Sequence, residues 1–306
     1  MRITSAIILL VKNPKRFLGS LLLKYSRLTN NQKLMLEVLY YEHMNERLNL
    51  KNPTKFTEKM QWLKLYDHNP LYHTMVDKYE VKKYVSNIIG DSYIIKTLGI
   101  YERFEDIDFC NLPEKFVLKT TGGGGGTGVV ICADKSNFNI DEAKHKLESS
   151  SRYDIYKNLG EWAYKDVQSR FLVEEFLDNG GEALVDYKFF CFNGKPLFFF
   201  VASDRFNANN MLPVFDFYDM NCDILEFNNI GYRRSGLKHV NIPQIDEMKD
   251  IASKLSNGIP FLRVDLYLVN GKVYFGETTF YHDSGLFGFT PDGADEKIGN
   301  LLELNC

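Results

Sequence analysis

Residues 116 to 128 read FVLKTTGGGGGTG. Five consecutive glycines are unfavourable to order, because glycine loses more backbone freedom on folding than any other residue. The flanks show where the run sits. FVLKT before it and GVVICA after it are rich in apolar and β-branched residues and read as strands, so the run joins two antiparallel strands. Residues 123 to 128 also satisfy G-x-G-x-x-G, but any glycine run does, and a dinucleotide site would continue into a helix. A Walker loop would end in Gly-Lys-Ser/Thr, whereas Gly128 is followed by Val129. What remains is a flap whose backbone N–H groups can close over phosphates. A plain hairpin tip rarely needs more than one or two glycines.

The rest of the 306-residue chain is that of a globular protein, with 44% apolar, 25% charged and 14% aromatic residues. This length suits one large or two ordinary domains, each with its own core. Five scattered cysteines, with no CxxC pair and no histidine at zinc spacing, read as reduced thiols of a cytoplasmic protein. The net charge of −3 conceals an asymmetry: residues 1–36 hold seven Lys and Arg and no acid, so a basic arm precedes an acidic body. Its apolar runs AIILLV and FLGSLLL are too short to span a bilayer, and no small-residue cleavage site follows them. Residues 1–28 therefore read either as a peripheral helix on anionic lipid at the inner face of a membrane or as a helix docked on the body. Nucleic acid is not expected as a partner, because the body would repel phosphate.

Three regions follow: the arm (1–36), a helical N-terminal region (37–74) and an α+β body (75–306). In NPTKFTEKMQWLKLYDHNP, Phe56, Met60, Leu63 and Leu65 form a helical stripe that Asn69-Pro70 ends. A second helix is expected from DKYEVKKYVSNIIG, with Asp77 and Glu80 as a capping pattern and Gly90 at its close. After Phe116 short strands dominate, and two of them contain Asn-Gly, a hairpin signal. A further helix is expected from about Pro243 to Leu255.

Protein kinases also show G-x-G-x-x-G-x-V, which Gly123 to Val130 fits, but V-A-I-K, H-R-D and D-F-G are all missing. Here Lys119 precedes the flap, and an acidic-hydrophobic hinge and paired acids follow. This order resembles the ATP-grasp superfamily. The wording of FTEKMQW, DKYEVKKYV, LPEKFVLKTTGGGGG, DYKFFCFNGKP and GETTFYHDSG is similar to its TupA-like branch, associated with teichuronopeptide and capsular polysaccharide biosynthesis. The resemblance implies two α+β lobes with antiparallel sheets gripping ATP, the smaller over about 75–170 and the larger over about 171–306.

It also implies roles. Lys78, in the first turn of its helix, and Lys119 would bind phosphates, and Lys119 is expected to be unpaired before nucleotide arrives. Gly123, Gly124, Gly125, Gly126 and Thr127 form the flap. Glu174 or Glu175 precedes the backbone of Phe176 and Leu177 at the adenine edge. Asp186, with Glu182 as its rival, would take the ribose, and Lys188 would reach a phosphate or pair with Asp186. Asp265 and Glu277 would hold Mg²⁺, with Thr279 where the superfamily usually has Asn, and Arg263 would stabilise charge during transfer. YHDSGLFGFTPDGAD would line the acceptor pocket, with Ser284-Gly285 turning close to the γ-phosphate. His282 is left without a role.

The metal pair makes a demand on register. A two-residue turn at Asn270-Gly271 would pair Val269 with Lys272 and send Glu277 to the face opposite Asp265. A three-residue loop through Lys272, with a bulge, pairs Val269 with Val273 and Asp265 with Glu277, and is the arrangement expected. The implied reaction is carboxylate–amine ligation through an acyl phosphate, joining an amino acid or other amine to a uronic-acid-containing carbohydrate or lipid-linked glycan. A sugar or glycan kinase, or a glycosyltransferase-associated enzyme, would use the same nucleotide site.

Overall fold

Two antiparallel sheets organise the chain, each with its own apolar core. A computed structural model describes residues 14–124, 126–181, 184–203 and 214–304. Among the described residues five helices come first: α1 (Pro14–Leu28), α2 (Gln32–Met44), α3 (Phe56–Tyr66), α4 (Leu71–Val76) and α5 (Glu80–Ile89). Strands β1 (Thr97–Tyr101), β2 (Phe116–Thr120), β3 (Val129–Cys132) and β4 (Phe171–Glu175) form a sheet of order β1-β4-β2-β3. Helices α6 (Ile140–Ser151) and α7 (Ile155–Leu159) lie between β3 and β4 in sequence. Phe116, Leu118, Leu147, Phe171 and Val173 anchor the core beneath this sheet.

The second sheet has the order β10-β9-β5-β6-β7. It is built from β5 (Asp186–Phe192), β6 (Lys195–Ser203), β7 (Val214–Asp219), β9 (Phe261–Val269) and β10 (Lys272–Thr279), with β8 (Asn228–Asn229) and β11 (Phe289–Thr290) forming a small ladder of their own. Helix α8 (Ile245–Ser256) covers one face, and α9 (Ala294–Gly299) closes the fold.

The expected division at residue 171 is corrected. β4 lies between β1 and β2, so Phe171–Glu175 belongs to the smaller lobe, and the crossing to the larger lobe comes after it. The helical region is likewise part of the larger lobe. Phe56 packs its ring on Phe190, Phe192, Phe261 and Phe289, and Met60, Leu63, Tyr72 and Met75 join the same core. Thr57 donates to both carboxylate oxygens of Asp295, from its N–H at 3.1 Å and its hydroxyl at 2.5 Å.

Both Asn-Gly pairs make tight hairpins, with left-handed φ at Asn193 (49°) and Gly194 (81°) and at Asn270 (50°) and Gly271 (76°). At the second, the expected three-residue loop is corrected: the turn has two residues, Lys272 pairs with Val269, and Tyr274 with Tyr267. The bulge sits instead at Gly276, between Phe275 and Glu277, and restores Glu277 opposite Asp265. A Cβ at Gly276 would lie 3.0 Å from the Asp265 carbonyl and from the Tyr267 ring, tighter than most side-chain contacts, so a neighbour would have to shift.

Candidate active site

Alternation along β5 and β9 places Asp186, Lys188, Arg263 and Asp265 on one face of the large sheet, and the bulge brings Glu277 and Thr279 to that same face. The opposite face carries Phe189, Val264 and Leu266 into the core. The glycine loop of the small sheet lies across from it. Lys78 joins the two lobes: its Nζ donates to the Gly123 carbonyl and lies 3.6 Å from Glu277 Oε2. Lys78 precedes α5, which starts at Glu80, so its expected place in the first helical turn is corrected. Asp77 does cap that turn, accepting from the N–H groups of Tyr79 and Glu80 at 2.9 Å.

The glycines answer a steric need. Gly123 and Gly128 pass directly over Thr120, and a Cβ on either would collide with the Thr120 hydroxyl. Gly126 adopts a φ of 74°, which side chains disfavour. The Thr127 hydroxyl donates to the Gly124 carbonyl at 3.1 Å. Gly125 and Glu182 lie outside the described residues.

Two cavities meet beneath this loop. The first, of about 520 Å³, has an apolar slot formed by Ile95, Val117, Leu177 and Leu184, and its polar wall includes Lys78, Lys119, Glu174, Asp186 and Glu277. The second, of about 1020 Å³, is reached by Lys188, Arg263, Thr279 and the aromatic rings of Tyr164, Phe200 and Tyr281. Gly123, Gly126 and Glu277 line both, so the junction lies between the loop and Glu277.

Glu174 is the counter-ion of the first cavity. It is 3% exposed, with Lys82 Nζ 2.5 Å from Oε1 and Lys119 Nζ 2.5 Å from Oε2. Burial opposes its ionisation, but the two lysines outweigh burial and hold its pKa below the ordinary carboxylate value. One expectation is corrected here: Lys119 is paired, and its partner is Glu174. Glu175 and Leu177 border the slot, whereas Phe176 lies beside Lys115, whose Nζ is 5.5 Å from its ring centroid.

Asp265 also departs from expectation. It is 1% exposed and receives Arg263 through Nε and Nη2, each at 2.8 Å, together with Lys188 Nζ. Burial would raise its pKa, but Arg263 and Lys188 drive it far below the usual range. Both oxygens are engaged by cations and Asp265 thereby anchors Arg263, whereas the expectation had it as a metal ligand. Lys188 also pairs with Asp186 at 2.6 Å. Glu277 is the open carboxylate: its ion-pair contacts with Lys78 and Arg263 Nη2 are long, 3.6 and 3.7 Å, and its side chain is 35% exposed. Among the described residues no group of three or more His, Cys, Asp or Glu could hold a metal ion.

The geometry gives His282 a place and adds Asn229, Lys64 and Gln61, which sequence reading missed. Arg263 Nη1 donates to His282 Nδ1 at 3.0 Å, which leaves the proton on Nε2 to be donated to Asn229 Oδ1 at 3.1 Å. Burial pushes the His282 pKa down to about 4, so the ring is neutral at ordinary pH. Lys64, fully buried on α3, donates to the Ser284 carbonyl at 2.7 Å, its hydroxyl at 2.8 Å and the Leu159 carbonyl at 3.0 Å. Gln61 adds bonds to the carbonyls of Ser284 and Gly285. Together they fix a turn whose Asp283 and Ser284 have φ of 46° and 56°, a conformation that needs such support. Ser284 faces the larger cavity rather than the first.

The sequence profile of the TupA-like ATP-grasp family matches residues 58–303. This chain belongs to the TupA-like ATP-grasp family. No curated protein matches it in sequence. Among solved structures, this ATP-grasp chain resembles a D-alanine–D-alanine ligase from Helicobacter pylori, with 17% identity and a TM-score of 0.43 over 74% of this chain and 60% of that one. It also resembles the Bacillus anthracis D-alanine–D-alanine ligase complexed with ATP, with 15% identity and a TM-score of 0.38 over 68% of this chain and 54% of that one. A third is N5-carboxyaminoimidazole synthetase from Staphylococcus aureus complexed with ADP, with 16% identity and a TM-score of 0.38 over 67% and 44%. This ATP-grasp chain thus spans less than two thirds of each, and its chemistry has to be read from its own residues.

Proposed function

We propose that this chain is an ATP-dependent carboxylate–amine ligase, joining an amino acid or other amine to a uronic-acid-containing polysaccharide precursor. The observation that carries the reading is the junction of two cavities at Gly123, Gly126 and Glu277. A nucleotide in the first cavity would present its terminal phosphate there to an acceptor in the second. The apolar slot suits adenine, Asp186 the ribose, and Lys78 and Lys119 the phosphates. The acceptor carboxylate takes the γ-phosphoryl group to give an acyl phosphate and ADP. The amine nitrogen then attacks the acyl carbon, loses its proton, and inorganic phosphate departs. Arg263, held rigidly by Asp265 and His282, faces the second cavity and stabilises charge developing during the transfer.

The residues fit a Mg²⁺ ion through Glu277 and the Thr279 hydroxyl, since this ion usually takes one or two carboxylates together with phosphate oxygens and water. Bound there, it would neutralise charge on the phosphates. The family's link to polysaccharide biosynthesis and the aromatic lining of the larger cavity support a carbohydrate acceptor. The test is an ADP-release screen of amines paired with uronic-acid oligosaccharides, soluble and lipid-linked. Release of ADP and phosphate only when acid and amine are both present is the result expected. ADP release with one acceptor, which keeps the phosphate, would make the enzyme a kinase, and no release would leave a nucleotide-binding scaffold.

A further inference from the structure

Helix α1 divides into two faces. Gly19, Leu23 and Ser26, spaced i, i+4, i+7, turn inward: Gly19 and Ser26 are buried, and Leu23 packs against the cluster of Met35, Leu39, Tyr40 and Leu286. Leu21, Tyr25 and Leu28 have the same spacing on another face and are exposed, Leu28 at 85%. Lys24 and Arg27 flank this stripe, and Lys33 is exposed on the neighbouring helix. Arg27 is also tied to the body through the Asn158 carbonyl at 3.4 Å. The helix is therefore docked and still presents an apolar stripe beside basic side chains. No helix among the described residues is long and apolar enough to cross a membrane.

The seat of α1 is also a wall of the larger cavity. Leu286 and Leu159, which belong to the cluster that receives Leu23, both line that cavity. Next to them Phe287, 49% exposed, and His43, its ring 5.9 Å away, line the same cavity. We propose that the outer face of α1 rests on an anionic lipid bilayer and thereby brings the larger cavity to the membrane surface, where a lipid-linked acceptor is carried. The stripe enters the headgroup boundary and the bases meet anionic headgroups, which is how amphipathic helices bind in the interface plane. Charge selects this occupant: residues 1–36 have seven bases and no acid, which complements an anionic surface while the apolar stripe enters it. Only the lipid-linked acceptor rests on the ligase reading; the membrane contact stands without it.

The test uses the full chain with vesicles of phosphatidylcholine alone or with about a third phosphatidylglycerol. The chain should co-sediment with the anionic vesicles only, and release in high salt. Leu21→Glu/Tyr25→Glu/Leu28→Glu should weaken sedimentation at least tenfold while leaving affinity for a fluorescent ATP analogue unchanged. Should that variant lose nucleotide binding, Lys24→Glu/Lys33→Glu, confined to exposed bases, decides by the same readout. Failure of the parent chain to sediment, or undiminished sedimentation of the deciding variant, overturns the proposal. So does a doubling of mass without lipid that the substitutions abolish, which would assign the stripe to a second copy. Loss of turnover on soluble acceptors with vesicle binding intact would count against the ligase reading and leave the membrane contact standing.

Discussion

Glu174 neutralises two lysines at once, and this makes Lys119 separable from the fold. Lys119→Ala leaves Glu174 with Lys82, which also donates to the Ile95 carbonyl at 2.8 Å, so the buried carboxylate keeps a partner. Turnover should fall at least 100-fold, about 2.7 kcal/mol, with weaker ATP binding and an unchanged circular dichroism spectrum; a loss below tenfold would remove Lys119 from the site. His282 gives a pH signature. Its pKa falls from an ordinary 6.5 to about 4 through burial. Below pH ~6.5 the unfolded chain takes up a proton that the folded chain refuses. The stability contributed by neutral His282 is therefore complete above that pH and drains away as pH falls towards 4. His282→Asn keeps an acceptor near Arg263 but does not titrate. The stability advantage of the parent over this variant, measured by urea unfolding, should shrink by about 3 kcal/mol between pH 7 and pH 4. A constant difference would show that the ring is not held neutral. Lys82 did not stand out in the sequence and His282 was left without a role, because their partners lie 92 and 19 positions away and no periodicity links them.

At the scale of elements, the β9–β10 hairpin shows what local pattern does and does not encode. Asn270-Gly271 names its turn correctly, since both residues need left-handed φ. The demand that Asp265 face Glu277 also holds. The compensating residue was misplaced, because a bulge depends on how a glycine sits against the neighbouring strand, and only three-dimensional contact with Tyr267 distinguishes Gly276 from an ordinary strand glycine. Helix α3 shows the same limit: its apolar stripe is legible, but the equally buried Lys64 reads as a solvated lysine until the turn it supports is seen. Gly276→Ala should cost about 1–3 kcal/mol, as overpacking does. It should also reduce turnover more than affinity for the adenine ring, because the displaced Glu277 lies at the junction rather than in the slot. Thermal melting and a kcat against KM comparison check this, and an unaltered variant would mean that the bulge needs no glycine.

At the scale of the molecule, the smaller lobe keeps its own core, whereas α3 and α4 share theirs with the large sheet and α1 and α2 pack on a small cluster that includes Leu286. The linear boundary between a helical region and a catalytic body is therefore not a physical seam. A polypeptide starting at residue 75 would leave Phe190, Phe192 and Phe261 without the Phe56 ring, and the Ser284 carbonyl without Lys64 and Gln61. It should be recovered as insoluble material, while residues 96–175, holding the whole four-stranded sheet and its core, should give a dispersed amide spectrum; the reverse outcome would refute this partition. Modularity then runs opposite to chain order: the excisable piece is the middle of the sequence, and its two ends are inherited, recombined or lost together.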